Sequence, residues 1–266
     1  MKKVFEALVE GIRSSLSACR FNSALLGLSG GLDSALVATL AKEALGNENV
    51  RGISMPSLYS SPESLEDAKE LSENLGIRYD VLPITNCFQL LKQELAPIFK
   101  NTPEGLAEEN MQARLRGIML MSISNKMGGM VLSTGNKSEI CVGYCTLYGD
   151  TCGGLAVIND LYKTEVYKLS YWINDYFNKP IIPIRTLTKA PSAELRPNQK
   201  DQDSLPPYEI LDAILILHIE EGKTKKEIIQ AGFDSKVVDQ VISLFNKNKY
   251  KQMQMPPGLS IRHLLN

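Results

Sequence analysis

The chain has 266 residues, with 29 Lys plus Arg against 30 Asp plus Glu and 44% hydrophobic residues. That length and apolar content suffice for an α/β core of ordinary size. The near-balanced charge excludes a whole-molecule field that would draw nucleic acid or an anionic membrane.

The first residues, MKKVFEALVEGIRSSL, set two lysines before apolar positions as an export signal does, but Glu6, Glu10 and Arg13 interrupt the run. No stretch reaches the roughly 18 apolar residues of a membrane span. The longest apolar runs are short, such as Ile214 to Leu217. Five cysteines, an odd number without framework spacing, suit a reducing cytoplasm. Cys141, Cys145 and Cys152 cluster without a fourth Cys or His nearby, which favours loop-packing thiols over the alternative of a metal site.

Val4, Phe5, Leu8, Val9, Ile12 and Leu16 fall on one helical face. Ala24 to Leu28 reads as a buried strand, followed by a Ser/Gly loop and a helix from Leu36 to Leu45 that Gly46 stops. Val50 to Met55 is a second strand. Ser61 caps, and Pro62 opens, a helix that ends at Gly76. Tyr79 to Ile84 is a third strand, Thr102-Pro103 starts a long helix through Met127, and Met130 to Leu132 is a fourth strand. Ser133 to Asp160 reads as a long loop, and Ile182 to Pro207 as a second irregular segment carrying five prolines. The C-terminal part is helical, with capping-box spacing at Thr224 and Glu227, and the tail after Lys247 is irregular. Short apolar strands alternating with helices predict an α/β fold, a parallel sheet covered on both faces, in one domain over residues 1–266. Ligands on such sheets bind beyond the carboxyl ends of the strands.

Gly27-Leu28-Ser29-Gly30-Gly31-Leu32-Asp33-Ser34 occupies one of those ends. Glycines let the backbone approach an anion, the helix N-terminus offers free N–H groups, and Ser29 and Ser34 add hydroxyl donors. The Lys-Ser/Thr ending of a Walker loop is missing, so the phosphate grip differs from a kinase's or GTPase's. The alternative is a tight turn with Asp33 as helix cap. A carboxylate beside phosphate asks for a cation, and Mg²⁺ takes carboxylate and phosphate oxygens together. Glu139, just past the fourth strand, offers a second carboxylate at the same sheet edge, or is an ordinary surface glutamate.

Ser-Gly-Gly-x-Asp-Ser is the loop of the N-type ATP pyrophosphatases, and within that superfamily the chain resembles the NAD synthetase family. The resemblance is carried by five ordered segments: Glu109 to Gly117, Ser133 to Glu139, Gly143 to Asp150, Asp160 to Tyr167 and Lys189 to Leu195. It covers the chain from about Leu25 to the Pro256-Pro257-Gly258 tail. The resemblance implies a doubly wound, Rossmann-like sheet of the adenine nucleotide alpha-hydrolase type with a helical C-terminal part, and a homodimeric cytoplasmic ligase. It implies that ATP, deamido-NAD (nicotinic acid adenine dinucleotide) and ammonia become NAD, AMP and pyrophosphate through an adenylate. Residue by residue, it implies that Gly27, Leu28, Ser29, Gly30, Gly31, Leu32, Asp33 and Ser34 hold the ATP phosphates, with Thr134, Lys163 and Ser192 also contacting ATP. Asp33 and Glu139 would hold Mg²⁺, and with Lys163 they would form the catalytic group. Asn110, Arg114, Glu139 and Lys251 would contact deamido-NAD. Read without the resemblance, Lys163 would be a solvated lysine before a helix, and Arg114 a partner for Glu109.

The chain departs from the ammonia-dependent pattern at Leu147, where lysine is usual, and at Tyr250-Lys251-Gln252, where a His-Lys-Arg run is usual. Leu147 and Ala193 to Gln199 look more like the synthetase domain of the glutamine-dependent branch. About 20 residues precede the first strand, and no cysteine is set with a histidine base, so an amidase within the chain is not expected. Free ammonia is the expected donor, with a separate glutaminase subunit as the alternative. The competing functions are another N-type pyrophosphatase, such as a tRNA thiolase or the ATPase domain of GMP synthetase, and an adenine-nucleotide-binding module without turnover. A thiolase would want reactive cysteines and a basic RNA face, and a silent module has little use for carboxylates on two loops.

Overall fold

The computed structural model describes residues 1–100 and 102–265. In chain order the main elements are α1 (Lys2–Ala18), β1 (Ala24–Gly27), α2 (Leu32–Leu45), β2 (Val50–Ser54), α3 (Pro62–Leu75), β3 (Arg78–Val81), α4 (Thr85–Leu95) and α5 (Leu106–Met127). Then come β4 (Met130–Ser133), α6 (Lys137–Val142), β5 (Leu155–Ala156), α7 (Lys163–Tyr176), α8 (Ile184–Thr188), α9 (Tyr208–Leu215), α10 (Lys225–Gln230), α11 (Ser235–Lys247) and α12 (Lys249–Gln252).

The five strands pair in parallel in the order β3-β2-β1-β4-β5. The chain steps outward from β1 to β3 and then crosses back to the other side of β1, so the switch point lies between β1 and β4. Ala24 sits opposite both Val50 and Met130, which fixes the register of the three central strands.

Side chains alternate across these strands, and each face gets its own core. Ala24, Leu26 and Leu28 join Met130 and Leu132 on the face covered by α1, α2, α3 and α7. Leu25, Ile53 and Val131 face α5, through Leu120. A third cluster lies away from the sheet, where α6 packs with α9, α10 and α11 through Leu211, Ile214, Ile228, Val238 and Val241. The predicted two-sided parallel sheet is what the chain forms.

Several boundaries differ from expectation, each for a local reason. Helix α2 starts at Leu32 rather than Leu36, because Gly31 in extended backbone already serves as its N-cap. Strand β3 ends at Val81 rather than Ile84, since Pro83 has no N–H for a ladder. Helix α5 starts at Leu106, not at Pro103. The Thr102 N–H closes the preceding turn on Phe99, and the Glu108 carboxylate accepts from the Gly105 N–H at 2.7 Å. The segment from Ser133 to Asp160 is no bare loop, since it holds α6 and β5. Likewise Ile182 to Pro207 contains α8, the tail contains α12, and α4 was not anticipated. Ser61 and Thr224 cap their helices as expected, accepting from the Ser64 and Glu227 N–H groups.

Leu8, Ile12 and Leu16 of α1 are fully buried against the first core. Leu8→Ala should cost about 2–5 kcal/mol of unfolding free energy, since transfer and cavity terms add. Urea unfolding measures it, and a loss below about 1 kcal/mol would mean that α1 is not packed as described.

Candidate active site

The loops after β1, β2 and β4 converge with the segment from Lys189 to Asp201 around a cleft of about 310 Å³. Its floor is the turn from β1 into α2. Gly30 has φ +78°, and a Cβ there would stand 2.2 Å from the Ser64 carbonyl oxygen, so only glycine passes this point. The Gly31 N–H donates to Ser29 Oγ at 3.2 Å, and Ser34 Oγ donates to the Gly31 carbonyl at 3.0 Å. Gly31 caps α2 without a side chain, which leaves the helix N-terminus facing the cleft. Asp33 is therefore not the cap. It lies in the first turn, and its carboxylate accepts from Asn136 Nδ2 at 3.1 Å and from Lys163 Nζ.

Lys163 is the first residue of α7 and is 3% exposed. It is not a solvated lysine: its ammonium meets Asp33 on one side and Glu139 Oε1, at 3.5 Å, on the other. Glu139 is in the first turn of α6, and that helix is capped by the buried Asn136, whose Oδ1 accepts the Glu139 N–H at 3.0 Å. Asn136 thus ties the Asp33 carboxylate to the backbone of Glu139 while capping a helix.

These positions shape the electrostatics. Burial lowers the proton affinity of Lys163, but Asp33 and Glu139 more than offset it, so its pKa is raised. Burial first, then the Asp33 carboxylate, pushes Glu139 up to about 8 against the pull of Lys163. Asp201 is 4% exposed and lines the same cleft. Its Oδ2 accepts from the Tyr208 hydroxyl at 2.8 Å, its Oδ1 has no partner, and burial raises its pKa. Asp150 is exposed toward the cleft and is pushed up to about 6 by the walls around it. Arg116 also lines the cleft, donates to the Met55 carbonyl at 2.9 Å, and is lowered to about 10 by burial.

Of the residues singled out from sequence, Gly27, Leu28, Ser29, Gly31, Leu32, Asp33, Ser34, Thr134, Glu139, Lys163 and Ser192 all line this cleft. Gly30 packs its backbone against α3 instead. Asn110, Arg114 and Lys251 are not among the lining residues. Asn110 Oδ1 accepts from the Thr146 hydroxyl at 2.7 Å, and Arg114 Nε donates to the Leu147 carbonyl at 3.2 Å rather than pairing with Glu109. Lys251 Nζ donates to the Gly143 and Cys145 carbonyls, each at 2.7 Å. All three bind the Gly143 to Tyr148 loop. Cys141 and Cys145 are free thiols pushed up to about 12 by burial.

Sequence reasoning missed Asn136, Asp150, Asp201, Arg116 and Glu194. Glu194 has φ +49°, and its carboxylate accepts from the Ser61 hydroxyl at 2.8 Å and the Ser64 hydroxyl at 2.7 Å, which ties the cleft rim to the start of α3. Most of these stood inside motif segments already noted, so position in a motif was the available signal. Asp201 lies just beyond the last such segment, and nothing in its local pattern marks it.

This sheet order, with an open helix N-terminus after its first strand, is that of the adenine nucleotide alpha-hydrolase fold. The NH3-dependent NAD synthetase from Campylobacter jejuni shares it with a TM-score of 0.76 at 27% identity, over 97% of this chain and 99% of that one. The chain belongs to the NAD synthase family, whose model matches residues 4–256. It is 50% identical over 260 residues to the glutamine-dependent NAD(+) synthetase of Thermotoga maritima, covering 98% of this chain and 45% of that protein. The glutamine-dependent NAD+ synthetase of Acinetobacter baumannii, solved with adenosine diphosphate, matches with a TM-score of 0.70 at 43% identity, over 97% of this chain and 46% of that one. The chain thus spans less than half the length of these glutamine-dependent relatives.

Glu139 keeps its proton up to about pH 8 when folded, against an ordinary value of 4.5. Between those values the folded state binds more protons than the unfolded chain. Its contribution to stability is complete below pH 4.5 and lost as the pH rises through 8. The thermal midpoint of the ligand-free protein should fall across that window, and Glu139→Gln should flatten the fall. Parallel profiles for the two proteins would show that the folded state does not retain this proton.

Proposed function

We propose that this chain is an ATP-dependent ligase module that converts deamido-NAD to NAD with ammonia as the nitrogen donor, releasing AMP and pyrophosphate. The observation that carries this reading is the Lys163 ammonium buried between Asp33 and Glu139 at the mouth of an open helix N-terminus. That arrangement suits a reaction in which negative charge shifts along a polyphosphate and no protein nucleophile is needed.

In this mechanism a nicotinate carboxylate oxygen attacks the α-phosphorus of ATP, and the bond to the bridging oxygen breaks with its electrons leaving on pyrophosphate. Ammonia nitrogen then adds to the activated acyl carbon, AMP departs with the carboxylate oxygen, and the nitrogen gives up a proton. Ser29, Gly31 and Ser34 supply donors to the phosphates, together with the first N–H groups of α2. Lys163 spreads positive charge over the same oxygens as a point donor. Thr134 and Ser192 complete the nucleotide wall. Two carboxylates on adjacent loops suit Mg²⁺, which takes one or two such ligands and fills the rest with phosphate and water oxygens. Held by Asp33 and Glu139, the ion would supply Lewis-acid polarisation of the phosphate oxygens. Asn110, Arg114 and Lys251 act on deamido-NAD through the Gly143 to Tyr148 loop that they hold, or by direct contact once the dinucleotide is bound. A homodimer in the cytoplasm is the assembly this reading assumes.

The donor is free ammonia for the chain acting alone. The glutamine-dependent names of the longer relatives leave room for a separate glutaminase partner, but Cys141 and Cys145 are poor amidase nucleophiles. Cys141 and Cys145 are held as thiols, and both histidines, His218 and His263, lie in the C-terminal part.

The purified chain, given ATP, Mg²⁺, deamido-NAD and ammonium chloride, should yield NAD, AMP and pyrophosphate by mass spectrometry. Glutamine alone should yield essentially none. Lys163→Met should lower kcat at least about a hundredfold, near 3 kcal/mol of transition-state stabilisation. NAD formed from glutamine with release of glutamate, or ATP cleaved to ADP and phosphate, would overturn the reading.

A further inference from the structure

Glu139 and Lys163 stand on two helices, α6 and α7, that share no strand and begin 26 residues apart, at Lys137 and Lys163. Their starts meet directly where the Lys137 N–H donates to the Leu161 carbonyl at 2.8 Å, and a second link runs through another element. One carboxylate bonds to the first turns of both. Asp212 of α9 is 2% exposed. Its Oδ1 accepts from the Ser138 hydroxyl, and its Oδ2 accepts from the Thr164 N–H at 2.8 Å. Ser138 Oγ in turn accepts from the Lys163 N–H at 2.8 Å. Ser138 is fully buried and precedes Glu139 directly in the chain.

The polarity of this relay is set by chemistry. An ionised carboxylate only accepts, so the Ser138 proton must point at Asp212, which leaves an oxygen lone pair for the Lys163 N–H. The N-terminal donors of α7 are thereby satisfied from α9 and α6 together. Burying a carboxylate costs free energy that a serine or threonine cap would not, and burial does raise the Asp212 pKa while the Ser138 and Thr164 donors oppose it. What a simple cap would not do is tie two helices to one rigid point on a third.

We propose that Asp212 is a positioning residue, acting through Ser138, that fixes the spacing of Glu139 and Lys163 at the cleft. This rests on the function proposed above, in which those two side chains serve the reaction, but Asp212 itself touches no reactant.

The test uses the full chain. Asp212→Asn keeps the volume and one carbonyl oxygen for the Thr164 N–H but turns a donor toward Ser138. Ser138→Ala breaks the same link from the other side, and Ser138→Thr keeps the hydroxyl. Asp212→Asn and Ser138→Ala should each lower kcat about tenfold or more per folded molecule, with the KM for deamido-NAD within about twofold of the unsubstituted chain. The double variant should be no slower than the slower single, because both break one relay. Ser138→Thr should recover most of the rate. A kcat within about twofold of normal for Asp212→Asn, whatever its melting temperature, would overturn the proposal, as would multiplied losses in the double variant. Should Asp212→Asn fail to fold, Ser138→Ala decides by the same criterion. A readout independent of turnover is the Nζ resonance of Lys163 in ¹⁵N-lysine protein, assigned by its loss in Lys163→Met. It should shift in Asp212→Asn and Ser138→Ala, and an unmoved resonance would overturn the proposal even if the chain made no NAD. Absence of NAD together with a shifted resonance would instead count against the function and leave the positioning role standing.

Discussion

A lysine ammonium at 3% exposure is tolerable only if its charge is answered at close range, and here two carboxylates answer it. That requirement organises the site. Asp33 comes from the turn after β1, Glu139 from the segment after β4, and Lys163 from the start of α7, so three distant stretches of chain must meet within hydrogen-bonding distance. The switch point of the sheet brings the first two together, because β1 and β4 are neighbours. Asn136 locks them by capping α6 with one atom and holding Asp33 with another. The start of α7 is fixed from its other side as well. Glu165 accepts from the Tyr162 N–H and takes both guanidinium arms of Arg262, each at 2.7 Å.

Fully ionised, the same trio would carry an excess of one negative charge; burial first, and then the Asp33 carboxylate, keeps a proton on Glu139 well above the ordinary range. Asp150 and Asp201 extend the acidic lining, while Arg116 and the uncapped end of α2 give the opposite sign on the wall nearest β1 and β2.

Much of this was legible in the sequence, and the limits have physical causes. The strands showed as short apolar runs because both faces of a parallel sheet are buried. The turn from β1 into α2 showed because glycine at φ +78° against the Ser64 backbone tolerates no other residue, so its signature is compact. The elements missed were short. Helices α6 and α8 have six and five residues, too few for a 3.6-residue period to appear. Helix α2 began earlier than expected because an extended glycine can cap without a side chain. Lys163 looked like any lysine ahead of a helix, since a pairing across 130 residues leaves no local trace. Asp212 was invisible for the same reason, since its partners Ser138 and Thr164 lie on other elements, and Asp201 meets the cleft only through the packing of the C-terminal part.

The proposed reaction turns on a carboxylate oxygen–phosphorus bond formed before any nitrogen enters. Exchange of labelled pyrophosphate into ATP, measured in the absence of ammonia and glutamine, isolates that step. The account predicts exchange that requires deamido-NAD and Mg²⁺ and that is abolished in Asp33→Asn. Exchange equally fast without deamido-NAD, or none under conditions where the chain makes NAD from ammonium, would contradict it.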